Sequence, residues 1–152
     1  MPPPAASAAK QQAEEKRQDF ATGVMAARVG GRRTFILISS PNASVQWRVG
    51  PAGSIARSGD AGRTWQAQAS YVTADLAGGS APSQTVCWVV GRAGTILRTT
   101  DGEHWEKVFS PAQTDWIALE ARDALNATVV AANRQRYVTS DGGQSWRGPL
   151  GK

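Results

Sequence analysis

One segment of the chain occurs more than once, and this repetition constrains the fold more than any other feature of the sequence. Residues 47–65 read WRVGPAGSIARSGDAGRTW and residues 88–105 read WVVGRAGTILRTTDGEHW, with a constant offset of 41 residues up to the aspartate. A weaker third copy at residues 127–146 places Asp141 40 residues after Asp101. A period near 40 residues is typical of a supersecondary unit that is copied and stacked. The chain is therefore a tandem repeat.

Apolar side chains alternate within each copy, and a period of two residues predicts β-strands. In the second copy, Val86, Trp88 and Val90 lead into a turn bracketed by glycines, and Ile96 and Arg98 follow that turn. This pattern predicts a β-hairpin at the centre of the copy.

Further strands are predicted on both sides of the hairpin. A first strand is expected at residues 71–74 in the second copy and at 116–121 in the third, and a last strand is expected over 105–109. The third copy has Ala131 and Arg134 where the second has glycines, so its hairpin is expected to turn by another route. Four short strands per 40 residues are the content of one propeller blade.

The turn that closes each copy has residue types that favour a hydrogen-bonded bend. In the first copy, Gly62 permits a positive φ, and the carboxylate of Asp60 is placed to accept hydrogen bonds from the amides of its own turn. The hydroxyl of Ser58 adds to this network. Trp65 follows with an indole that buries about 150 to 250 Å² when it packs. These residues are expected to stabilise the fold and to perform no catalysis.

The pattern of these turns, S/T-x-D-x-G-x-x-W, resembles the Asp-box of bacterial-neuraminidase-type repeats. The second copy lacks one residue of it, so its turn is expected to be tighter. The structural turn residues are Ser58, Asp60, Gly62 and Trp65 in the first copy, Thr99, Asp101 and Trp105 in the second, and Thr139, Asp141, Gly143 and Trp146 in the third.

Together with the preceding W, V, G, G, I and R positions, the repeats are similar to those of the photosystem II assembly and stability factor family, whose members are β-propellers. The resemblance covers about residues 31–148. It implies a non-catalytic protein-interaction or assembly module, of bacterial origin, whose partner is another protein.

The predicted fold class is all-β: a propeller-like domain of about three four-stranded antiparallel blades at residues 31–150, with repeats at about 31–70, 71–110 and 111–150. Residues 1–30 form a Pro/Ala-rich charged linker or tail, predicted to be disordered or partly helical, because few large apolar groups are available to offset its ordering entropy. Three blades are fewer than the four to eight of an ordinary closed propeller. Two chains are therefore a candidate homo-oligomer that completes a ring; alternatively, the segment around residues 35–38 covers one end of a compact, partial propeller.

The net charge of +5 is concentrated in the tail, since residues 1–33 hold six basic and three acidic side chains and the repeats are nearly balanced. No basic stripe is interleaved with exposed aromatic residues, so no nucleic-acid partner is expected. Cys87 is the single cysteine and is expected to be a buried, inert thiol, and the single histidine, His104, is expected to lie in a solvated turn. These residues give no metal-ligand pattern, so neither a metal nor a cofactor is predicted.

Two alternative functions stay open. A three-repeat domain of this kind resembles the C-terminal, extracytoplasmic part of membrane-anchored anti-sigma-factor-like proteins, although no Cys and His cluster precedes residue 30 and no apolar stretch of about 18 residues is present. In that setting the chain is a fragment or a free-standing relative. The Asp-box also suggests a glycan-binding or sialidase-like protein, but Tyr71 and Tyr137, the only tyrosines, have no glutamate near them in sequence.

Arg57 and Arg98 are the candidate partner-binding residues. They occupy the same position in their copies, just before the turn, and stacked blades would arrange them in a row that suits carboxylates, phosphates or an acidic peptide tail. In the alternative interpretation, each arginine packs over a tryptophan or pairs with a neighbouring carboxylate. The third copy has Val138 at this position, which shortens the row.

Overall fold

The computed structural model describes residues 35–150, so the predicted tail at residues 1–30 lies outside the described part of the chain. The described residues form twelve β-strands and one short 3₁₀ turn, Pro51–Gly53. The strands are β1 Ile36–Ser39, β2 Gln46–Val49, β3 Ile55–Ser58, β4 Gln66–Gln68, β5 Leu76–Ser80, β6 Cys87–Gly91, β7 Ile96–Thr99, β8 Glu106–Lys107, β9 Trp116–Ala121, β10 Ala127–Ala131, β11 Arg136–Thr139 and β12 Arg147–Leu150. No helix in this part of the chain is long and apolar enough to cross a lipid bilayer.

The strands of residues 35–150 form three four-stranded antiparallel sheets, each a meander of consecutive strands, which confirms the predicted fold class. The sheets are β1 to β4, β5 to β8 and β9 to β12, and they are called the first, second and third blades below. The hairpin predicted in the second copy is confirmed, because β6 pairs with β7 from Cys87 opposite Thr99 to Val90 opposite Ile96.

Two strand predictions need correction. The first strand of the second blade is Leu76–Ser80 and not residues 71–74, because the buried hydroxyl of Ser70 bonds to the backbone of Val72 and holds this stretch in a bend. The last strand of the same blade is only Glu106–Lys107, shorter than the predicted 105–109. The first strand predicted in the third blade, Trp116–Ala121, is confirmed.

The second blade is sandwiched between the other two, and β6 is therefore buried along its whole length. Alternate residues of β6 belong to different cores: Cys87 and Val89 pack toward the first blade, and Trp88 and Val90 pack toward the third. The innermost strand β5 lies against β1 on one side and against β9 on the other. The blades thus follow one another as an arc.

The tryptophans that follow the turns of the second and third blades pack on the preceding blade. Trp105 Nε1 donates to Gln68 Oε1 of the first blade at 2.8 Å, and Trp146 Nε1 donates to the carbonyl of Phe109 at 2.8 Å. No blade precedes Trp65 among residues 35–150, and its Nε1 donates to the carbonyl of Gly62 in its own turn at 3.1 Å. Trp65 is half-buried, less than the sequence predicted, and so is Trp146, whereas Trp105 is buried.

The inner hairpin of the third blade turns differently from the other two, as predicted. In the first two blades, consecutive residues have positive φ, 56° and 75° at Ala52 and Gly53, and 55° and 76° at Ala93 and Gly94. This pair of values is typical of a type I′ turn. In the third blade, Arg134 carries the positive φ of 73°.

Candidate functional site

The turn between the third and fourth strands of each blade is built around a carboxylate, and these three turns are called the carboxylate turns below. In the first, Asp60 Oδ1 accepts hydrogen bonds from the N–H of Thr64 at 2.8 Å and from the hydroxyl of Ser58 at 2.8 Å, while Oδ2 accepts the Thr64 hydroxyl at 2.6 Å. The bonds from Thr64 are the main cause that lowers the pKa of Asp60 from 3.8 to about 2.

The third carboxylate turn repeats this geometry. Asp141 Oδ1 accepts the N–H of Ser145 at 2.9 Å and the hydroxyl of Thr139 at 2.8 Å, and Oδ2 accepts the Ser145 hydroxyl at 2.6 Å. Thr139 is buried, and its hydroxyl oxygen accepts the N–H of Gly143 at 2.9 Å. The hydroxyl of Ser145 is the largest cause that lowers the pKa of Asp141 to about 2.

The second carboxylate turn is one residue shorter, and its tighter geometry is confirmed. The N–H that bonds to the Thr99 hydroxyl belongs to Gly102, three residues later, whereas four residues separate the equivalent pairs of the other turns. Asp101 Oδ1 accepts the N–H groups of Glu103 at 2.9 Å and His104 at 2.8 Å. The backbone bond from His104 is the largest cause that lowers the pKa of Asp101.

His104 is exposed, as expected, but it also completes this turn. Its Nδ1 lies 2.7 Å from Asp101 Oδ2, in the place that the hydroxyls of Thr64 and Ser145 take in the other turns. The hydrogen bond to Asp101 raises the pKa of His104 above 6.5. The sequence already contained a signal for this role. When the one-residue deletion in the second copy is allowed for, His104 aligns with Thr64 and Ser145.

Two further carboxylates, which the sequence reasoning missed, join neighbouring blades. Asp75 Oδ1 accepts the N–H of Ala52 at 2.9 Å, and Asp115 Oδ1 accepts the N–H of Ala93 at 2.9 Å. Each aspartate directly precedes the first strand of a blade and reaches back to the inner hairpin of the blade before it. A signal for this pair was present in the sequence, because Asp75 and Asp115 are separated by 40 residues, the period of the repeat.

Arg57 and Arg98 lie at equivalent places on β3 and β7, beside the junctions between blades. The guanidinium carbon of Arg57 is 5.3 Å from the ring centroid of Trp47, and that of Arg98 is 5.5 Å from Trp88. Arg57 Nη2 donates to the carbonyl of Gln84 at 3.1 Å, across the first junction. Both arginines therefore pack over a buried tryptophan of their own blade.

The two arginines differ in their acidic partners. Arg98 donates from Nε and Nη2 to Glu106 Oε2, at 2.9 and 2.5 Å, and from Nη1 to the carbonyl of Ala124 at 2.8 Å. In the register of the first blade, Gln66 stands opposite Arg57, where Glu106 stands opposite Arg98. Arg57 thus has no carboxylate partner among residues 35–150.

Cys87 lies in the core between the first and second blades and is fully buried, and this burial raises the pKa of its thiol. Its Sγ contacts the carbonyl of Trp88 at 3.9 Å. Within the described part of the chain, no group of three or more His, Cys, Asp or Glu side chains is arranged to hold a metal ion.

Solved structures described as YCF48 share this fold. The structure described as YCF48 bound to D1 peptide superposes with a TM-score of 0.64 at 19% sequence identity, over 80% of this chain and 44% of that chain. YCF48 from Cyanidioschyzon merolae superposes with a TM-score of 0.65 at 24% identity, over 80% of this chain and 38% of that chain.

This chain therefore spans less than half the length of these two neighbours. No family model matches the sequence, and no curated protein matches it. At these identities the likeness is one of fold, and it supports the propeller-like architecture expected from the repeats. The finer resemblances to Asp-box repeats and to anti-sigma-factor-like proteins stay predictions.

Proposed function

We propose that the chain is a non-catalytic protein-interaction or assembly module, built from repeats of the photosystem II assembly factor-like type and of bacterial origin. One observation carries the proposal: the second blade is covered on both faces, whereas the first and third blades each have a face with no blade of residues 35–150 against it. On the first blade this face includes Leu37, which is 57% exposed, and half-buried Trp65. An uncovered blade face with an exposed leucine beside a half-buried tryptophan favours a docking surface of mixed polar and apolar character.

The fold neighbours give this proposal its direction. One of them is a YCF48 described as bound to the D1 peptide, so that protein holds a polypeptide segment. We infer that this chain also recognises a polypeptide. The carboxylates of Asp60, Asp101 and Asp141 are occupied by hydrogen bonds within their own turns, which favours a scaffold role for them over an acid or base role.

Arg57 is the better of the two candidate partner-binding residues. Arg98 already has the carboxylate of Glu106, but Gln66 supplies only an amide beside Arg57. A guanidinium with no carboxylate partner among residues 35–150 suits a carboxylate from outside, because charge-assisted bonds of Arg to carboxylates are strong and directional. We therefore infer that an acidic peptide segment of the partner contacts Arg57, and that Arg98 contributes mainly through its position in the row.

An affinity pull-down tests this function. The folded chain is the bait, and the partners it retains are compared with those of the double variant Arg57→Ala plus Arg98→Ala and of Gln66→Glu. The second variant keeps both arginines and supplies Arg57 with the intramolecular carboxylate that Arg98 has in the second blade. Both variants should release an acidic partner, and the exposed change Gln113→Glu should not.

The pull-down has two contrary outcomes with different meanings. If all variants retain the same partners equally, the arginines are not part of the binding site, and the proposed interaction role still holds. If no protein is enriched over an unrelated bait, the interaction role itself is refuted. A sialoside hydrolysis assay is the complementary check, since turnover above background would contradict a non-catalytic role.

A second copy of the chain is a further partner that we propose for the uncovered blade faces. Two arcs of three blades, joined first blade to third blade in both directions, would form a six-bladed ring, within the usual range for propellers. Sedimentation should then show dimers that the change Leu37→Lys weakens. A wild-type chain that stays monomeric over the whole concentration series would contradict this closure.

A further inference from the structure

Tyr71, in the loop that joins the first and second blades, combines two unusual features. Its side chain is 84% exposed, and its φ is 64°, in the left-handed region. A bulky residue in that region is an outlier, since the backbone crowds its Cβ. Such strain persists only where the surrounding structure enforces it, and it concentrates at functional sites.

The buried hydroxyl of Ser70 enforces this conformation. It accepts the N–H of Val72 at 3.3 Å and donates to the carbonyl of Val72 at 3.2 Å, so the chain bends with Tyr71 at the apex. At the next junction Ser110 likewise donates to the carbonyl two residues on, at 2.8 Å, but the apex residue there is Pro111. Because proline fixes φ near about −65°, that junction has no left-handed aromatic residue at this place.

Tyr71 stands at a groove of about 280 Å³ between the first blade and the second carboxylate turn. One wall consists of β4 and the residue after it, numbers 66–69, and β4 is an edge strand whose outer side pairs with no strand among residues 35–150. An unpaired strand edge beside a groove is a template for an added strand, because its free N–H and C=O groups can pair with an extended peptide.

The opposite wall of the groove comes from the second carboxylate turn. It contains Glu103, His104 and Trp105, and the imidazole of His104 is already engaged by the carboxylate of Asp101. Glu103 is exposed on the same wall. Because Asp101 balances the imidazole of His104, the Glu103 carboxylate gives this wall its net negative charge. The face of an aromatic ring such as Tyr71 attracts cations as well. The lining therefore favours a positively charged side chain.

We propose that this groove binds an extended, basic segment of a partner protein, which adds to β4 as a fifth strand and places a lysine or arginine side chain between the Tyr71 ring and the Glu103 carboxylate. The proposal rests on the proposed role of the chain as a protein-interaction module. It gives that module a second binding site of opposite charge preference, next to Arg57, which stands opposite the wall residue Gln66.

Fluorescence anisotropy with defined peptides tests the proposal. The probe is a labelled peptide of about eight residues, the length of an ordinary strand, with alternating lysine and valine. One comparison peptide has glutamate in place of lysine, and another has proline in place of valine, so that it keeps the charge and loses strand donors. The full chain should bind the first peptide and neither of the others.

The variants Tyr71→Ala and Glu103→Gln should each weaken binding of the Lys–Val peptide roughly tenfold, as expected for the loss of one cation–π or ion-pair contact. Matched controls are Phe109→Ala, an exposed aromatic at the second junction, and Glu120→Gln, an exposed acid on the third blade; neither should alter binding. Circular dichroism verifies that each variant is folded.

Three results would overturn this site. They are no binding of the Lys–Val peptide at about 1 mM, equal binding of the Lys–Pro peptide, and equal weakening by the control variants. None of these touches the proposed function, which is judged by the pull-down on Arg57. Conversely, a chain that binds the Lys–Val peptide through Tyr71, and whose enriched proteins are retained equally by the Arg57→Ala plus Arg98→Ala variant, would keep the groove and remove the arginines from the site.

Discussion

The hydroxyl of Thr139 offers a direct measure of what the carboxylate turns contribute to stability. Thr139 is 1% exposed, and its Oγ1 accepts the buried N–H of Gly143 at 2.9 Å. Thr139→Val keeps the shape of the side chain but leaves that N–H without an acceptor, which costs about 1 to 3 kcal/mol. For a domain of this size, about 4 °C of melting temperature corresponds to each kcal/mol. We therefore expect a melting temperature about 4 to 12 °C lower, measured by calorimetry.

Thr128→Val is the matched control for this experiment. Thr128 lies half-buried on β10 of the same blade, and no side-chain hydrogen bond of its hydroxyl is present among the described residues. The same chemical change there should alter stability by less than about 0.5 kcal/mol. If Thr139→Val melts at the wild-type temperature, or if Thr128→Val is destabilised as much, the hydroxyl of the turn is not what stabilises the blade.

Further predictions concern pH, the junctions and the third hairpin. Because the folded pKa of His104 is raised, the stability that its bond to Asp101 provides should be complete below pH 6.5 and be lost as pH rises through that folded pKa. In thermal scans, His104→Ala should abolish this loss of stability. The pKa values of Asp60 and Asp141 are lowered from 3.8 to about 2, so the stability that these carboxylates provide should be lost as pH falls from 3.8 to about 2. Arg98→Ala should cost about 2 to 3 kcal/mol in denaturant unfolding, because it removes a cation–π contact and charge-assisted bonds, whereas exposed Arg136→Ala should cost less than about 0.5 kcal/mol. Arg134→Gly should stabilise the chain by about 0.5 to 1 kcal/mol, since glycine adopts the φ of 73° without crowding; a lower melting temperature would contradict this.

The sequence was informative wherever a residue was repeated at a fixed offset. Trp47 and Trp88 fill the same place in consecutive blades, and both are fully buried. The aspartates of the turns repeat in the same way, and each accepts the amides that its position predicted. Local rules sufficed here, because alternation specifies strands and the S/T-x-D pattern specifies a bend that needs no distant partner.

Features that depend on contacts between blades were not accessible in this way. Residues 71–74 have the alternation of a strand, but Ser70 bonds to Val72 and the segment becomes a bend. The role of Asp75 depends on the hairpin amide of Ala52 in the preceding blade, 23 residues earlier in the chain. The groove beside Tyr71 forms from β4 and from a turn of the next blade. These features need the stacking of the blades, which the sequence pattern of one copy does not contain.

The uncovered faces of the two outer blades are not copies of the faces buried at the junctions, and this bears on how a second copy would dock. In the second blade, Cys87, Val89 and Leu97 are buried against the first blade, and the equivalent residues on the uncovered face of the first blade are Gln46, Arg48 and Ala56. Trp88 and Ile96 are buried against the third blade, and their equivalents on its uncovered face are Thr128 and Arg136. Polar outer faces are a property of terminal units in stacked repeats. The Arg48 guanidinium also covers Trp65, at 4.4 Å from its ring centroid. A ring made of two chains would therefore be joined by mixed polar and apolar contacts, so its dimers should dissociate on dilution while each three-blade arc stays folded.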